Sequence, residues 1–231
     1  MTRRRAVKAI GSSILTAKYL HGADTRLVVY EGDSITSGSV TGFVAYPATV
    51  TSHFAPALTW SNNAVSGSTV ATMVSRGAAV DALFAGNPGP NVLSILIGVN
   101  NASGGFNASQ FIAALKPYCQ TRKSNTPGLK IMIIPLTACA SVEATRDAYN
   151  VAINADPSFY DLSMSIVGDT HIWQDGNSAN TTYFVDGVHP TVLSQTTIIP
   201  PFVEAGLQTF FGTGGIGMSG PISTGSGIRL Q

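Results

Sequence analysis

Three short stretches of the sequence are almost continuously apolar, and they constrain the fold more than any other feature. They cover residues 26–32, 91–99 and 129–137, and each has the length of a strand. A strand that lacks an alternating polar face is covered on both sides, which is typical of parallel sheets flanked by helices. Helical patterns separate the three stretches, so the sequence predicts an α/β fold with a mostly parallel central sheet and helices on both faces.

The remaining segments supply the helices and two further strands. Further strands are predicted over 58–65 and 163–169, and helices over 41–55, 68–85, 107–123, 141–156 and 190–211. Asn107 or Ser109 is suited to cap the third of these helices. Pro47 lies near the start of the first helix, whereas Pro200 and Pro201 are expected to interrupt the last one.

The chain of 231 residues favours one large domain. We expect an N-terminal arm or short helix over 1–25, a single folded domain over 26–211 and a Gly/Ser-rich tail over 212–231. The basic N-terminal segment resembles a signal peptide, but a short helix or arm fits it equally. The longest apolar runs fall short of the ~18 residues that a membrane span requires, so no membrane span is expected.

Charge is sparse, and it excludes one class of partner. Charged residues make up 11% of the chain, and the net charge is +1. Four of the thirteen basic residues lie within the first ten positions; without them, nine basic residues face twelve acidic ones. No basic face remains for nucleic acid, so no nucleic-acid partner is expected. An uncharged polar surface of this kind is common in secreted and virion-associated proteins, a location that we favour over the cytoplasm.

The two cysteines are predicted to be free thiols. Cys119 falls near the end of a predicted helix, and Cys139 lies just past the following strand. These places lie at opposite ends of a βαβ unit, roughly 20 Å apart at the rise of a strand, whereas a disulfide needs Cα atoms about 5.5 Å apart. The sequence also lacks a Cys/His cluster, and no metal site is predicted.

Four polar or glycine-bearing segments follow the predicted strands. Ser34 follows the first strand within "GDSI", Gly67 follows the second within "AVSGST", and Asn100 follows the third within "IGVNN". Asp186 and His189 follow the last strand within "DGVHPT". Ligands bind at the carboxyl ends of the strands in such sheets, so we expect these residues to meet at one edge.

These residue types are the ones that acyl transfer requires. A serine hydroxyl becomes a nucleophile when a base takes its proton, and an imidazole with an ordinary pKa of about 6.5 can serve as that base. Asp186, three residues before His189, is placed to orient the ring. The backbone N–H groups of Ser34 and Gly67 and the amide of Asn100 can stabilise the oxyanion.

This set of motifs resembles the SGNH hydrolases, also called the GDSL esterase/lipase family. The resemblance covers residues 34 to 190 in order, and the last block is the most specific. It implies a flavodoxin-like three-layer α/β/α fold and hydrolysis of esters without a metal or cofactor. Two positions depart from the family pattern: Ile35 replaces the common Leu, and Asn101 replaces the usual Asp after the oxyanion Asn.

The α/β-hydrolases also order Ser, Asp and His along the chain, but two features argue against them. Their nucleophile lies in G-x-S-x-G, and Thr36 stands where the second Gly should be. The acid also lies only three residues before the base.

Several other polar and aromatic residues are weaker candidates. Asp33 is expected to bond the backbone of its own turn, and His171 to lie in a solvated loop near two aspartates; His21 and His53 have no partners in sequence. The aromatic residues near the motifs either line a substrate pocket or pack beneath it: Phe43, Tyr46, Trp173, Tyr183 and Phe184.

The sequence therefore predicts a serine esterase with a small-molecule or glycan ester as its substrate. Short acyl chains are favoured because no long apolar lid is evident, and O-acetylated carbohydrate is the preferred substrate. The alternative is a virion- or surface-associated glycan-binding protein in which esterase activity is secondary or lost.

Overall fold

A computed structural model describes residues 25–212 of the chain. At its centre lies a five-stranded sheet in the order β2-β1-β3-β4-β5, in which every neighbouring pair is parallel. The strands are β1 (Leu27–Gly32), β2 (Thr59–Asn62), β3 (Asn91–Leu96), β4 (Lys130–Ile133) and β5 (Leu162–Ser163). The predicted parallel α/β sheet is thus confirmed.

Helices follow the strands in the described part of the chain. They are α1 (Ser34–Ser37), α2 (Tyr46–Ser52), α3 (Val70–Phe84), α4 (Val99–Ser103), α5 (Ala108–Asn125), α6 (Glu143–Ala155) and α7 (Ile199–Phe211). Short 3-10 turns cover Ser39–Thr41, Pro157–Phe159 and Asn177–Ala179, and a π-helical turn covers Ser194–Ile198. Asn107 caps α5, in agreement with one of the two predicted caps.

Alternate residues of each central strand enter opposite layers of the core. In β1, Leu27 and Val29 pack with side chains of α3, α5 and α6. Val28 and Tyr30 pack on the other face with side chains of α2 and α7. The molecule is therefore the three-layer α/β/α sandwich that the resemblance implied, and full burial of each apolar side chain contributes about 1.5–3 kcal/mol relative to exposure.

The last strand is much shorter than the sequence predicts. Residues 163–169 were expected to form it, whereas β5 pairs with β4 only through Leu162 and Ser163. Beyond this point the chain leaves the sheet, and Val167 is one of its most exposed apolar side chains. An edge strand has a partner on one side only, so little holds the segment after Ser163 in the sheet.

The two prolines of the closing helix do not interrupt it, contrary to the prediction. Pro200 and Pro201 lie in the first turn of α7, directly after the π-helical turn, and they lack the N–H groups that would otherwise bond to carbonyls of that turn. The irregularity lies just before them, in the π-helical turn Ser194–Ile198. The helical path therefore continues from residue 192 to residue 211.

Cys119 and Cys139 are both buried and free, as the sequence predicts. Among residues 25–212, every helix is too short or too polar to cross a bilayer. The same residues contain no group of three or more His, Cys, Asp or Glu side chains that could hold a metal ion. The predicted arm over 1–25 and tail over 212–231 lie almost entirely outside the described residues.

Candidate active site

The turn after β1 presents Ser34 at the carboxyl edge of the sheet. A Cβ on Gly32 would lie 2.2 Å from the carbonyl oxygen of Leu96, so only glycine allows β1 and β3 to approach this closely. Asp33 then caps α1, and its Oδ1 accepts a hydrogen bond from the N–H of Ile35 at 3.0 Å. This bond confirms the expectation that Asp33 serves the backbone of its own turn.

Ser34 and His189 are in direct contact. The Oγ of Ser34 lies 2.8 Å from Nε2 of His189. Ser34 is mostly buried, whereas the His189 side chain is about one-fifth exposed, so a substrate can approach the pair from the solvent side. The structure therefore brings together a hydroxyl and a ring nitrogen at the distance that proton transfer requires.

Asp186 holds the opposite side of the imidazole. Its Oδ2 lies 2.8 Å from Nδ1 of His189, and its Oδ1 accepts from the backbone N–H groups of Val188 and His189 at 3.1 and 2.9 Å. Partial burial raises the pKa of the Asp186 carboxyl, but the hydrogen bonds from His189 and Val188 outweigh this effect and hold the pKa below its ordinary value. The carboxyl is thus ionised at neutral pH and fixes Nδ1 as the protonated nitrogen.

The segment that carries Asp186 and His189 closes on itself. The N–H of Val185 donates to the carbonyl of His189 at 2.8 Å, and Phe184 pairs with Pro190 in an antiparallel bridge. The N–H of Thr191 and the hydroxyl of Ser194 both donate to the carbonyl of Tyr183. We name residues 183–195 the base segment; these bonds make it a compact unit.

Gly67 lies in the loop after β2, and Asn100 lies in the short helix α4 after β3. The Nδ2 of Asn100 donates to the carbonyl of Ser68 at 2.9 Å, so this bond joins the loop after β2 to α4 beside the edge. Gly67 is exposed and has a φ of +77°, a backbone conformation that other residues rarely adopt. A Cβ at Gly67 would meet nothing within 4 Å, so the conformation rather than space requires glycine there.

Asn101 makes a contact that explains how the chain tolerates amide in place of the family's carboxylate. Its Oδ1 accepts from the N–H of Val70 at 3.1 Å, at the first turn of α3, and the side chain is buried. A carboxylate oxygen could accept the same bond. The replacement therefore keeps the link between α4 and the start of α3 and avoids a buried charge.

Asp33 is the second carboxyl near the nucleophile. Burial raises its pKa to about 7, although the hydrogen bond from Ile35 and the charge of His189 act in the opposite direction. A narrow cleft beside it is lined by Asp33, Ile35, Leu96, Ile97, Val99, Leu136 and Thr137.

The aromatic candidates occupy different environments. Phe43 is 78% exposed and has a φ of +65°, whereas Tyr46 is fully buried with its hydroxyl 3.2 Å from Oγ1 of Thr36. Trp173 is buried and donates from Nε1 to the carbonyl of Pro135. Tyr183 is half-buried, with its ring edge-on to His171. Exposure favours Phe43 as a substrate contact, and burial favours packing roles for Tyr46 and Trp173.

The other histidines do not take part in the contacts that join Ser34, His189 and Asp186. His171 is partly exposed in its loop, with Nδ1 3.5 Å from Asp169, as expected for a solvated loop. His53 had no partner in sequence, but its Nδ1 lies 2.6 Å from Oε1 of Glu204 in α7. His21 lies outside the described residues.

Sequence reasoning missed two amides that contact α1 (Ser34–Ser37), the single helical turn that carries Ser34 and that we name the nucleophile turn. Asn62, at the end of β2, donates to the carbonyl of Thr36 at 2.9 Å, and Gln195 donates to the carbonyl of Ile35 at 2.8 Å. Neither residue lies in a recognisable motif. Their role depends on how distant segments pack, and a single sequence does not display that packing.

The fold is that of the SGNH hydrolases, and the comparisons agree. Residues 32–195 match the model of the GDSL-like Lipase/Acylhydrolase family. The chain belongs to this family, whose members are serine hydrolases that act on ester bonds. Among the curated proteins, none matches the sequence.

Solved structures of the same fold come from several bacteria. A GDSL-like lipase from Parabacteroides merdae has a TM-score of 0.60 and 19% identity, covering 79% of this chain and 95% of that one. A variant of Axe2, an acetyl xylan esterase from Geobacillus stearothermophilus, has a TM-score of 0.59 and 18% identity over 83% and 97%. Phospholipase A1 from Streptomyces albidoflavus has a TM-score of 0.51 and 16% identity over 78% and 98%. These levels of identity establish a shared fold.

Proposed function

We propose that this chain is a serine esterase in which Ser34 is the nucleophile, His189 the general base and Asp186 the residue that orients the base. The continuous contact from Oγ of Ser34 through the imidazole of His189 to Asp186, with 2.8 Å at each junction, carries the proposal. Each group has the type and position that its role requires.

In the first half-reaction, Oγ of Ser34 attacks the ester carbonyl carbon while Nε2 of His189 takes the hydroxyl proton. The carbonyl π electrons move to the oxygen and form a tetrahedral oxyanion. When the oxyanion collapses, the bond to the alcohol oxygen breaks and His189 gives its proton to that oxygen. The acyl group is then joined to Ser34, and the alcohol departs.

In the second half-reaction, water takes the place of the alcohol. His189 accepts a proton from the water as its oxygen attacks the acyl carbon, and then returns the proton to Oγ of Ser34. The carboxylic acid leaves and the enzyme is restored. Asp186 stays ionised throughout and stabilises the imidazolium that forms in both half-reactions.

The oxyanion is proposed to rest on the N–H groups of Ser34 and Gly67 and the amide of Asn100. The bond from Nδ2 of Asn100 to Ser68 uses one amide hydrogen and leaves the other for the oxyanion. The N–H of Gly67 has no acceptor among residues 25–212. A neutral amide is a suitable donor because it cannot lose its proton at working pH.

For the substrate, we propose short acyl esters of uncharged alcohols, with O-acetyl groups on carbohydrate as the preferred class. The segments around the triad carry little charge. Residues 34–52 contain no Asp, Glu, Lys or Arg, and Asp186 is the only residue of these four types within 176–203. Exposed Phe43 offers an aromatic face on which a sugar ring can stack. The acetyl xylan esterase of similar fold supports this choice of substrate.

The test is a set of p-nitrophenyl esters from acetate to decanoate, run beside acetylated xylo-oligosaccharides, with Ser34→Ala as the matched control. We expect the highest kcat/KM for acetate, acetate release from the oligosaccharide, and neither reaction with Ser34→Ala. A preference for decanoate would contradict the short-chain assignment, and unchanged turnover by Ser34→Ala would contradict the mechanism.

A further inference from the structure

The helix that presents Ser34 is only one turn long, and it leaves backbone carbonyls in need of partners. Within α1, the carbonyl of Ser34 accepts from the N–H of Gly38 at 3.1 Å. The carbonyls of Ile35 and Thr36 lie at the end of the turn, where an α-helix has no further N–H groups to offer. Because this region is buried, unpaired carbonyls there would be costly.

Two amide side chains from distant segments supply the missing donors. Asn62, on β2, donates to Thr36, and Gln195 donates from Nε2 to the carbonyl of Ile35 at 2.8 Å. The nucleophile turn is therefore held from the sheet on one side and from the base segment on the other.

Gln195 satisfies a second backbone group at the same time. Its Oε1 accepts from the N–H of Tyr46, the first residue of α2, at 3.0 Å. The side chain is 1% exposed, and both bonds are buried. One end of the amide faces a carbonyl and the other faces an N–H, so the reversed orientation would lose both bonds.

Gln195 also belongs to the base segment that carries His189. Its N–H donates to the carbonyl of Thr191 at 2.9 Å, and its neighbour Ser194 is bonded to Tyr183. It lies in the π-helical turn Ser194–Ile198, a type of irregularity that often occurs at functional sites. One side chain thus joins the compact segment of the base to the turn of the nucleophile.

We propose that Gln195 is a positioning residue, which holds the Ser34 turn in register with His189 through its bond to Ile35. The inference rests on the proposed function, since it assigns Gln195 a role in that reaction. A one-turn helix has little stability of its own, so its place relative to the base depends on such contacts. A displacement of about 1 Å at a reacting group can lower a rate by about 10²-fold.

The test compares Gln195→Met with Thr51→Val on p-nitrophenyl acetate. Met keeps the length of the side chain and removes both hydrogen bonds. Thr51 is equally buried in α2, but its hydroxyl donates to the carbonyl of Pro47 in the same helix, so Thr51→Val removes a buried hydrogen bond that does not involve the nucleophile turn. We expect Gln195→Met to lower kcat by at least about tenfold with KM changed by less than about twofold, and Thr51→Val to keep the kcat of the wild type.

The rate of inactivation by a fluorophosphonate provides a second readout. It reports the reactivity of Ser34 without substrate release, and it should fall in Gln195→Met in parallel with kcat. If Gln195→Met melts earlier but keeps its kcat and its inactivation rate, the residue is merely structural and the inference is wrong. Gln195→Asn, which is too short to reach both backbone groups, takes the place of Gln195→Met should the latter fail to fold.

The failure of this inference differs from the failure of the proposed function. If the wild-type protein neither hydrolyses the ester nor reacts with the fluorophosphonate, the proposed function is wrong and the role of Gln195 falls with it. If the wild type reacts and Gln195→Met reacts at the same rate, only the role of Gln195 is contradicted.

Discussion

The Oγ of Ser34 lies 2.8 Å from Nε2 of His189, although 155 positions separate the two residues in the chain. Asp186 needs no such convergence, since it reaches the imidazole from three positions away. The site therefore depends on the meeting of two segments: the turn after β1 and the base segment before α7.

Asp186→Asn should lower kcat by up to about 10⁴-fold, because an amide that donates to Nδ1 would favour the wrong tautomer of His189. We expect the variant to fold, since an Asn oxygen can still accept from the N–H groups of Val188 and His189. Steady-state kinetics on p-nitrophenyl acetate measures the effect. Asp156→Asn is the control: Asp156 forms an ion pair with Lys116 away from the triad, and its loss should leave kcat unchanged. An unchanged kcat in Asp186→Asn would show that another group orients the imidazole.

Asn100→Ala should lower kcat by about 10²–10³-fold if the amide donates to the oxyanion. KM should change little, because the interaction is strongest in the transition state. The measurement is again kcat and KM on p-nitrophenyl acetate, and a loss of only a few-fold would remove Asn100 from this role.

The adjacent amide provides the matched control. Asn101→Asp keeps an oxygen that can accept from Val70, so α4 and the start of α3 stay joined and kcat should remain within a few-fold of the wild type. Asn101→Leu leaves the buried N–H of Val70 unpaired and should lower the free energy of unfolding by about 1–3 kcal/mol, as measured by urea denaturation. Equal loss of kcat in Asn100→Ala and Asn101→Asp would mean that kcat depends on the conformation of this segment and not on the amide of Asn100.

Glu31 is a buried carboxyl that the proposed reaction does not use. It lies in β1 on the face of α3 and α5, accepts a hydrogen bond from the hydroxyl of Tyr118, and has Arg76 at 3.7 Å. Burial raises its pKa from 4.5 to about 7, although the Tyr118 hydrogen bond and the charges of Arg76 and Arg122 oppose this effect. The protonated form is thus favoured in the folded protein relative to the unfolded chain.

A raised pKa makes stability depend on pH in a definite direction. The contribution of Glu31 to the free energy of unfolding is fully present below pH 4.5 and is lost as the pH rises towards 7. The loss amounts to up to about 3 kcal/mol, at 1.36 kcal/mol per pKa unit. Gln in Glu31→Gln cannot ionise. The free energy of unfolding of this variant, relative to that of the wild type, should therefore rise between pH 5 and pH 8. Urea denaturation at both pH values measures the difference. Asp33 also has a raised pKa, but it is present in both proteins, so its effect on stability cancels in the comparison. A difference that is the same at both pH values would contradict this account.

The sequence was informative where local pattern determines structure. Continuous apolar runs such as 91–99 predicted the buried parallel strands, because burial on both faces removes the need for a polar alternation. Ser34 and His189 could be paired beforehand since both follow strands of one sheet and their chemistry is complementary. Asp33 could be assigned to its turn because an N-cap contact spans only two residues.

The contacts that escaped prediction are those that tertiary packing decides. Asn62 and Gln195 are ordinary amides in sequence, and they acquire a role only where β2 and the base segment meet the Ser34 turn. Phe43 and Trp173 were equal candidates in sequence, yet one is exposed and the other is buried. The alternative of a virion- or surface-associated glycan-binding protein, in which esterase activity is secondary or lost, receives no support from the family match.

The most direct test of the central claim is the mass of the protein after reaction with a fluorophosphonate, followed by peptide mapping. The account predicts one adduct per chain, located on Ser34, that forms in the wild type and is absent from Ser34→Ala; His189→Ala should form it far more slowly. An unmodified wild-type chain, or an adduct that persists in Ser34→Ala, would contradict the claim that His189 activates Ser34.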